Sequence, residues 1–317
     1  MESVKQGQLY KYQILTKENA PSRAQRVLHT DDILFQCVRP YQMNNYMVKE
    51  TMSDIQWVAS TGYAQIRTQT DYPAFLYYVL NTSKYNKAVM VRCTGSSYPA
   101  INSEDLSKIP FYKCGIAEQK KIADFLSLLD ERIATQNKII DKLQSLIKGI
   151  ADKLFQTART TKPLLEFAPN ITSGTDKSGS GTIPLYGSTG IIGTVKNASQ
   201  KGNIVLVARV GTIGTVQYVN EPCGVSDNAL IVEAGEMTKY IYHFLKTYNF
   251  TRITSGTTQP LITASSLKKA AIPTYDIESQ TRIVLCLNGL EKKLDMAKQY
   301  LSDIAVMKRY LLCQMFI

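Results

Sequence analysis

From Ile122 to Leu154 the apolar residues alternate four- and three-residue steps without a slip: Ile122, Leu126, Leu129, Ile133, Gln136, Ile140, Leu143, Ile147, Ile150 and Leu154. Nine of these ten are apolar, which is the a/d seam of a long helix that needs a partner helix. Adding 161 to each number gives a second seam: Ile283, Leu287, Leu290, Leu294, Ala297, Leu301, Ile304, Lys308, Leu311 and Met315, again nine of ten apolar. The pattern predicts two long helices that pair antiparallel through these positions. In that register Gln136 falls near Leu301 and Lys308 near Leu129. Lys308 is expected to lay its stem across the seam and hold its ammonium in solvent.

The repeat reaches beyond the helices. Gln119 matches Gln280, Phe155 matches Phe316, and the stretch 94–106 (TGSSYPAINSEDL) matches 255–267 (SGTTQPLITASSL), all at an offset of 161. Further upstream Asp32-Ile33-Leu34 aligns with Asn203-Ile204-Val205 at 171, so the second copy carries about ten extra residues. A unit of this length exceeds the roughly 20–50 residues of a solenoid repeat. It reads as a duplicated module: a first globular domain over 1–114, a helix over 115–160, a second globular domain over 161–276 and a helix over 277–317. Antiparallel pairing would put the globular parts at opposite ends of a helix of about 39 residues, roughly 58 Å long.

Within the first globular part, Ile33-Leu34-Phe35 reads as a buried strand and 39–46 as a polar-aromatic loop. Segments 55–59 and 63–67 read as strands across a Ser-Thr-Gly turn, 73–81 as a short amphipathic helix, and 95–99 as a turn. Ser103 is the expected N-cap of one further helical turn. In the second part, 183–195 (IPLYGSTGIIGTV) is rich in turn residues, 204–208 and 225–232 read as strands, and 240–248 as a helix. Each domain is therefore a mixed α/β unit, and the chain as a whole is α+β.

The net charge of +11 is spread as +4, +2, +3 and +2 over these four segments, so it is not a tail. A basic excess on both globular domains suits a polyanion that touches both. The six cysteines form no CxxC pair and stand apart from the two histidines, so no metal site is expected. No run reaches the roughly 18 apolar residues of a membrane span, and no signal-peptide core opens the chain; a cytoplasmic protein with free thiols is the expectation.

Catalytic motifs are absent. There is no GxxxxGK[ST] loop, no GxGxxG after a strand, no GxSxG elbow and no Asn-Pro-Pro-Tyr tetrapeptide of the amino-methyltransferase kind. Binding loops are better supplied. Arg39 and Arg209 each follow an apolar strand. Tyr41, Asn44, Asn45 and Tyr46 crowd the first loop, and Thr212 lies in the second. The repeated loop carries Ser96, Ser97 and Tyr98 in one copy and Thr257, Thr258 and Gln259 in the other. Tyr186, Ser188 and Thr189 stand in the Gly-rich stretch. These are the residue types that contact base edges and phosphates. Two alternatives to a DNA reader stand beside it: a coiled-coil protein-interaction scaffold without DNA recognition, and an enzyme of an unfamiliar kind.

The whole layout resembles the specificity subunit of type I restriction–modification systems. The resemblance is carried by the strand ending in Val38-Arg39-Pro40, the run IPLYGSTGIIGTV at 183–195, Arg209-Val210-Gly211-Thr212, SDNAL at 226–230 and SGTTQP at 255–260. Glu118-Gln119 at the head of a long helix and the order domain–helix–domain–helix complete it. The resemblance implies two target recognition domains, each reading one half of a split sequence in double-stranded DNA. It implies a paired-helix spacer that docks two modification subunits, which hold S-adenosylmethionine and the methyltransferase site. It further implies restriction subunits that use ATP and Mg. This chain itself would bind no cofactor and carry no catalytic residue.

Overall fold

A computed structural model describes residues 3–5, 7–50, 55–256 and 260–316. Their α-helices are α1 (Pro73–Leu80), α2 (Ser83–Arg92), α3 (Ser103–Ser107), α4 (Ile116–Gln156), α5 (Thr238–Thr247), α6 (Ala264–Lys268) and α7 (Ile277–Met315). The chain divides into two compact units, Met1–Lys138 with Gln299–Ile317, and Ile139–Lys298.

In unit 1 the strand Ile33–Gln36 lies between Tyr46–Met47 and Tyr63–Ile66, antiparallel to both. It is buried on both faces, as a continuous apolar run requires. Ile33 and Phe35 face α1 and α2, joining Phe75, Val79, Tyr85 and Val89. Leu34 faces the other way, against Leu28, Val48, Ala59 and Tyr63. The same core continues into the helices: Ala123, Leu126 and Leu129 of α4 pack with Ile304 of α7, flanked by Ile122, Ile133, Leu311 and Met315.

In unit 2 the strand Ile204–Ala208 sits between Val216–Val219 and Ala229–Val232, with Thr172–Ser173 beyond. Val205 and Val207 face α5, where Tyr240, Ile241, Phe244 and Leu245 cover them. Ile204 and Leu206 face a second cluster with Val219, Val225 and Ile231. Ala151 and Phe155 of α4 pack with Ile283 and Leu287 of α7. The start of α4 thus meets the end of α7 in one unit, and the end of α4 meets the start of α7 in the other. The helices are antiparallel, and all twenty seam positions are buried or half-buried.

The duplication is visible atom by atom. Gln119 donates to the Cys114 carbonyl at 3.0 Å, and Gln280 to the Tyr275 carbonyl at 2.7 Å. Phe316 packs on Phe75 at 5.4 Å, and Phe155 on Tyr240 at 5.6 Å. In α1 the Tyr78 hydroxyl donates to Asp130 Oδ2 at 2.8 Å and lies 3.2 Å from Ser127 Oγ. In α5 the His243 Nε2 lies 2.9 Å from Asn288 Oδ1, and its Nδ1 lies 3.8 Å from Glu291 Oε1. Asn288 and Glu291 are Ser127 and Asp130 moved by 161.

Three readings of the pattern are corrected, and two elements are added. Lys308 does not hold its ammonium in open solvent; it pairs with Asp130 and lies over the Tyr78 ring at 5.6 Å, because a carboxylate sits one residue from its seam neighbour. Asn102, not Ser103, caps α3, its side chain accepting from Asp105 N at 2.7 Å. Helix α2 and strand Val216–Val219 were not predicted; four of the five apolar residues of α2 run together at 88–91 without helical spacing, and the strand is half-buried throughout but for Val219. Finally, the upstream offset is 172, not 171. Strand alternation makes Val205, not Ile204, the equivalent of Ile33, since a one-residue slip would turn every side chain to the wrong face.

Candidate nucleic-acid interface

In each unit two loops close on one another. In unit 1 the loop 94–100 is pinched by paired hydrogen bonds, Thr94 N to Ala100 O and Ala100 N to Thr94 O, both 2.9 Å. In unit 2 Ser255 N to Leu261 O at 3.0 Å and Leu261 N to Ser255 O at 2.8 Å do the same. Gly95 and Gly256 take φ of 89° and 91° at the matching step, a conformation that L side chains resist. The pinched loop then docks on the end of the central strand. Ile101 N donates to the Cys37 carbonyl at 3.0 Å, and Ile262 N to the Arg209 carbonyl at 3.1 Å. This places Arg209 level with Cys37, so Arg39 lies two residues farther along its loop than Arg209 does.

Arg39 is held in the left-handed region at φ 56°, with its N–H on the Pro99 carbonyl at 2.8 Å. Met43 is left-handed too, at φ 51°. Strain of this kind persists only where surrounding contacts over-determine it. Those contacts radiate from Gln36, a residue sequence reasoning passed over. Its side chain donates to Val38 O and Gln42 Oε1, both at 2.9 Å, and accepts from Asn44 N at 3.1 Å. A buried amide in an apolar strand was the available signal. The result brings Arg39 over the exposed ring of Tyr98, guanidinium to centroid 4.3 Å, joining two residues predicted from separate loops.

Other candidates fall in two classes. Tyr41, Ser96, Ser97, Thr189 and Thr212 are exposed. Asn45 is interior: its Oδ1 accepts from Gln36 N at 2.8 Å and its amide reaches Asn81 Oδ1 at 3.2 Å. Tyr46 is half-buried against the Leu28–Leu34 cluster, and burial pushes its phenol above the ordinary range. Thr257, Thr258 and Gln259 lie outside the described residues.

In unit 2 Arg209 N donates to Asn228 O at 3.0 Å, and its buried Nε has no hydrogen-bond partner among the described residues. Ser188 turns its hydroxyl inward to the Val210 carbonyl at 3.1 Å. Tyr186 packs beside the Ile204 cluster and donates to Glu221 at 2.8 Å; burial first, then that carboxylate, push its phenol up to about 12. Asn228 and Gln217 are organisers that the sequence did not single out. The Gln217 amide donates to Gly187 O at 2.9 Å and Ser188 O at 3.2 Å. Among the described residues no group of His, Cys, Asp or Glu could hold a metal ion, and no helix is long and apolar enough to cross a membrane.

Each unit thus offers a cation, hydroxyls and backbone groups on a braced pair of loops. A family model described as the type I restriction modification DNA specificity domain matches the chain twice, over residues 3–145 and 161–305. A crystal structure of a type I restriction–modification S subunit from M. genitalium aligns with TM-score 0.68 at 18% identity, covering 96% of this chain and 92% of that one. A structure from work on complex assembly and conformational transition of the type I R-M system aligns with TM-score 0.62 at 18% identity, covering 99% and 89%. No curated protein matches the chain.

Proposed function

Because this chain belongs to the type I restriction–modification DNA specificity family, we propose that it is the non-catalytic reading subunit of such a complex. Each unit contacts one half of a bipartite sequence in double-stranded DNA through its pair of braced loops. The paired helices dock two modification subunits, which hold S-adenosylmethionine and methylate adenine. Restriction subunits, with ATP and Mg, join that core. Work on DNA of this kind is carried out in the cytoplasm.

The observation that carries the reading is the convergence of Arg39 on Tyr98 in a strained, over-determined loop, with the pinched partner loop repeated in unit 2. A guanidinium held over a ring is pre-organised for a guanine edge or a phosphate. The test is a methylation map of genomic DNA from cells that express the chain with its neighbouring modification subunit. One split motif is expected, methylated in both halves. Methylation without a sequence motif, or sequence-specific methylation that survives deletion of this chain, overturns the proposal.

A further inference from the structure

The turn of the hairpin Ile183–Tyr186/Ile191–Val195 exposes two adjacent isoleucines, Ile191 at 61% and Ile192 at 52%. Their exposure is built in. The register shifts between Leu185 and Tyr186, so Leu185 pairs with Gly193 and Tyr186 with Ile191, leaving Ile192 unpaired in a bulge. Bulges re-aim side chains. Ile192 lies on Gly187, where an added Cβ would stand 2.8 Å from its Cγ2, so any other residue at 187 would displace it. The turn is also fixed to the candidate reading loop: Ser188 Oγ donates to Val210 O at 3.1 Å and lies 3.4 Å from Asn228 O, the same carbonyl that takes the Arg209 N–H. Gln217 ties the turn down from below.

We infer that Ile191 and Ile192 form an apolar fingertip that reads thymine methyl groups in the half-site of unit 2. The inference rests on the function proposed above and names a further specificity element within it. Duplex DNA is the occupant that fits. The tip shares its mount with a half-buried arginine, and the one apolar feature that the major groove presents is the thymine C5-methyl. The neighbouring Thr189 is exposed and can meet a phosphate or a base edge beside it.

The test uses the complex of this chain with its modification subunits and duplexes of its mapped target, with thymine replaced by uracil one position at a time. Binding to the unmodified target against a scrambled duplex tests the proposed function by itself. With that intact, one or two uracil positions within a single half-site should weaken binding about three- to five-fold each, the worth of one buried methyl. The Ile191→Thr, Ile192→Thr double variant keeps the β-branched shape. It should bind the thymine duplex as weakly as the wild type binds uracil, and lose the distinction. Gly187→Ala, which displaces Ile192, should blunt the same positions. Indifference of the wild type to uracil at every position overturns the inference, as does a double variant that keeps the discrimination. A double variant that binds normally but no longer assembles with modification subunits also overturns it, by making the tip a protein contact.

Discussion

The repeated polar cluster gives a prediction that can be worked from the structure. In unit 1 a long side chain, Tyr78, meets short ones, Ser127 and Asp130; in unit 2 a shorter one, His243, meets longer ones, Asn288 and Glu291. Reach is conserved while the residues that supply it change. His243→Tyr should therefore drive a phenol into space already filled. His243 is only 3% exposed, so the cost is that of overpacking, about 1–3 kcal/mol. For a unit of this size each kcal/mol lowers Tm by about 2–4 °C. Adding Asn288→Ser and Glu291→Asp should recover at least half of the loss, since the shortened side chain keeps a carboxylate opposite Lys246. Calorimetry gives the magnitudes, and hydrogen exchange in α5 assigns the transition to unit 2. pH supplies a second arm. Burial pulls the His243 pKa below its ordinary value near 6.5, against the Asn288 bond and the Glu291 charge and alongside Lys246 and Lys239. The unfolded chain then takes up the proton first, so this contribution is full above about pH 6.5 and is lost as pH falls through the window beneath it. Wild type minus variant should show that loss. A triple variant as unstable as His243→Tyr, or a difference that is flat with pH, would refute the reasoning.

Other expectations follow from single residues. Asn45→Ala should destabilise unit 1 by about 1–3 kcal/mol in urea titrations, because the buried Gln36 N–H loses its acceptor. Arg39→Ala and Arg209→Ala should each cost about 1–3 kcal/mol of DNA binding and relax selectivity in one half-site only; uniform weakening on all sequences would mark a phosphate contact instead. Asp32 is fully buried. Burial alone would raise its pKa, but the Arg67 fork at 2.7 and 2.8 Å, with His29 N and Gln65, holds it below the ordinary carboxylate value. Its stabilisation is present above about pH 4 and lost as pH falls through the lowered value, so Asp32→Asn should flatten the acid limb of an unfolding curve.

The long helices and the duplication were legible because both are periodic: a seam that never slips, and a constant offset through Gln119, Phe155 and the pinched loop. Loop geometry was not. Arg39 and Arg209 look equivalent in sequence because each follows an apolar strand, yet backbone bonding separates them by two residues. Asn45 has the composition of a contact residue but is spent on bracing. Gln36 and Asn228 work through hydrogen bonds to main-chain groups, which leave no periodic trace. The apolar fingertip was hidden inside a run that reads only as rich in turn residues; the register shift that leaves Ile192 unpaired has no trace in the sequence.

Unit 1 is not continuous in sequence, whereas unit 2 is, and this bears on how the protein is made. Unit 1 draws Ile304, Leu311 and Phe316 into a core whose other members end near Lys138. At about 5–20 residues per second, synthesis of the intervening stretch takes roughly 8–30 s. Throughout that time Ala123, Leu126 and Leu129 have left the ribosome without the helix that will cover them. Unit 2, though encoded later, has its own helix ends to hand first. The order of completion on the ribosome is therefore the reverse of the order of translation, and the early apolar seam stays open to any other helix, including one on a neighbouring nascent chain.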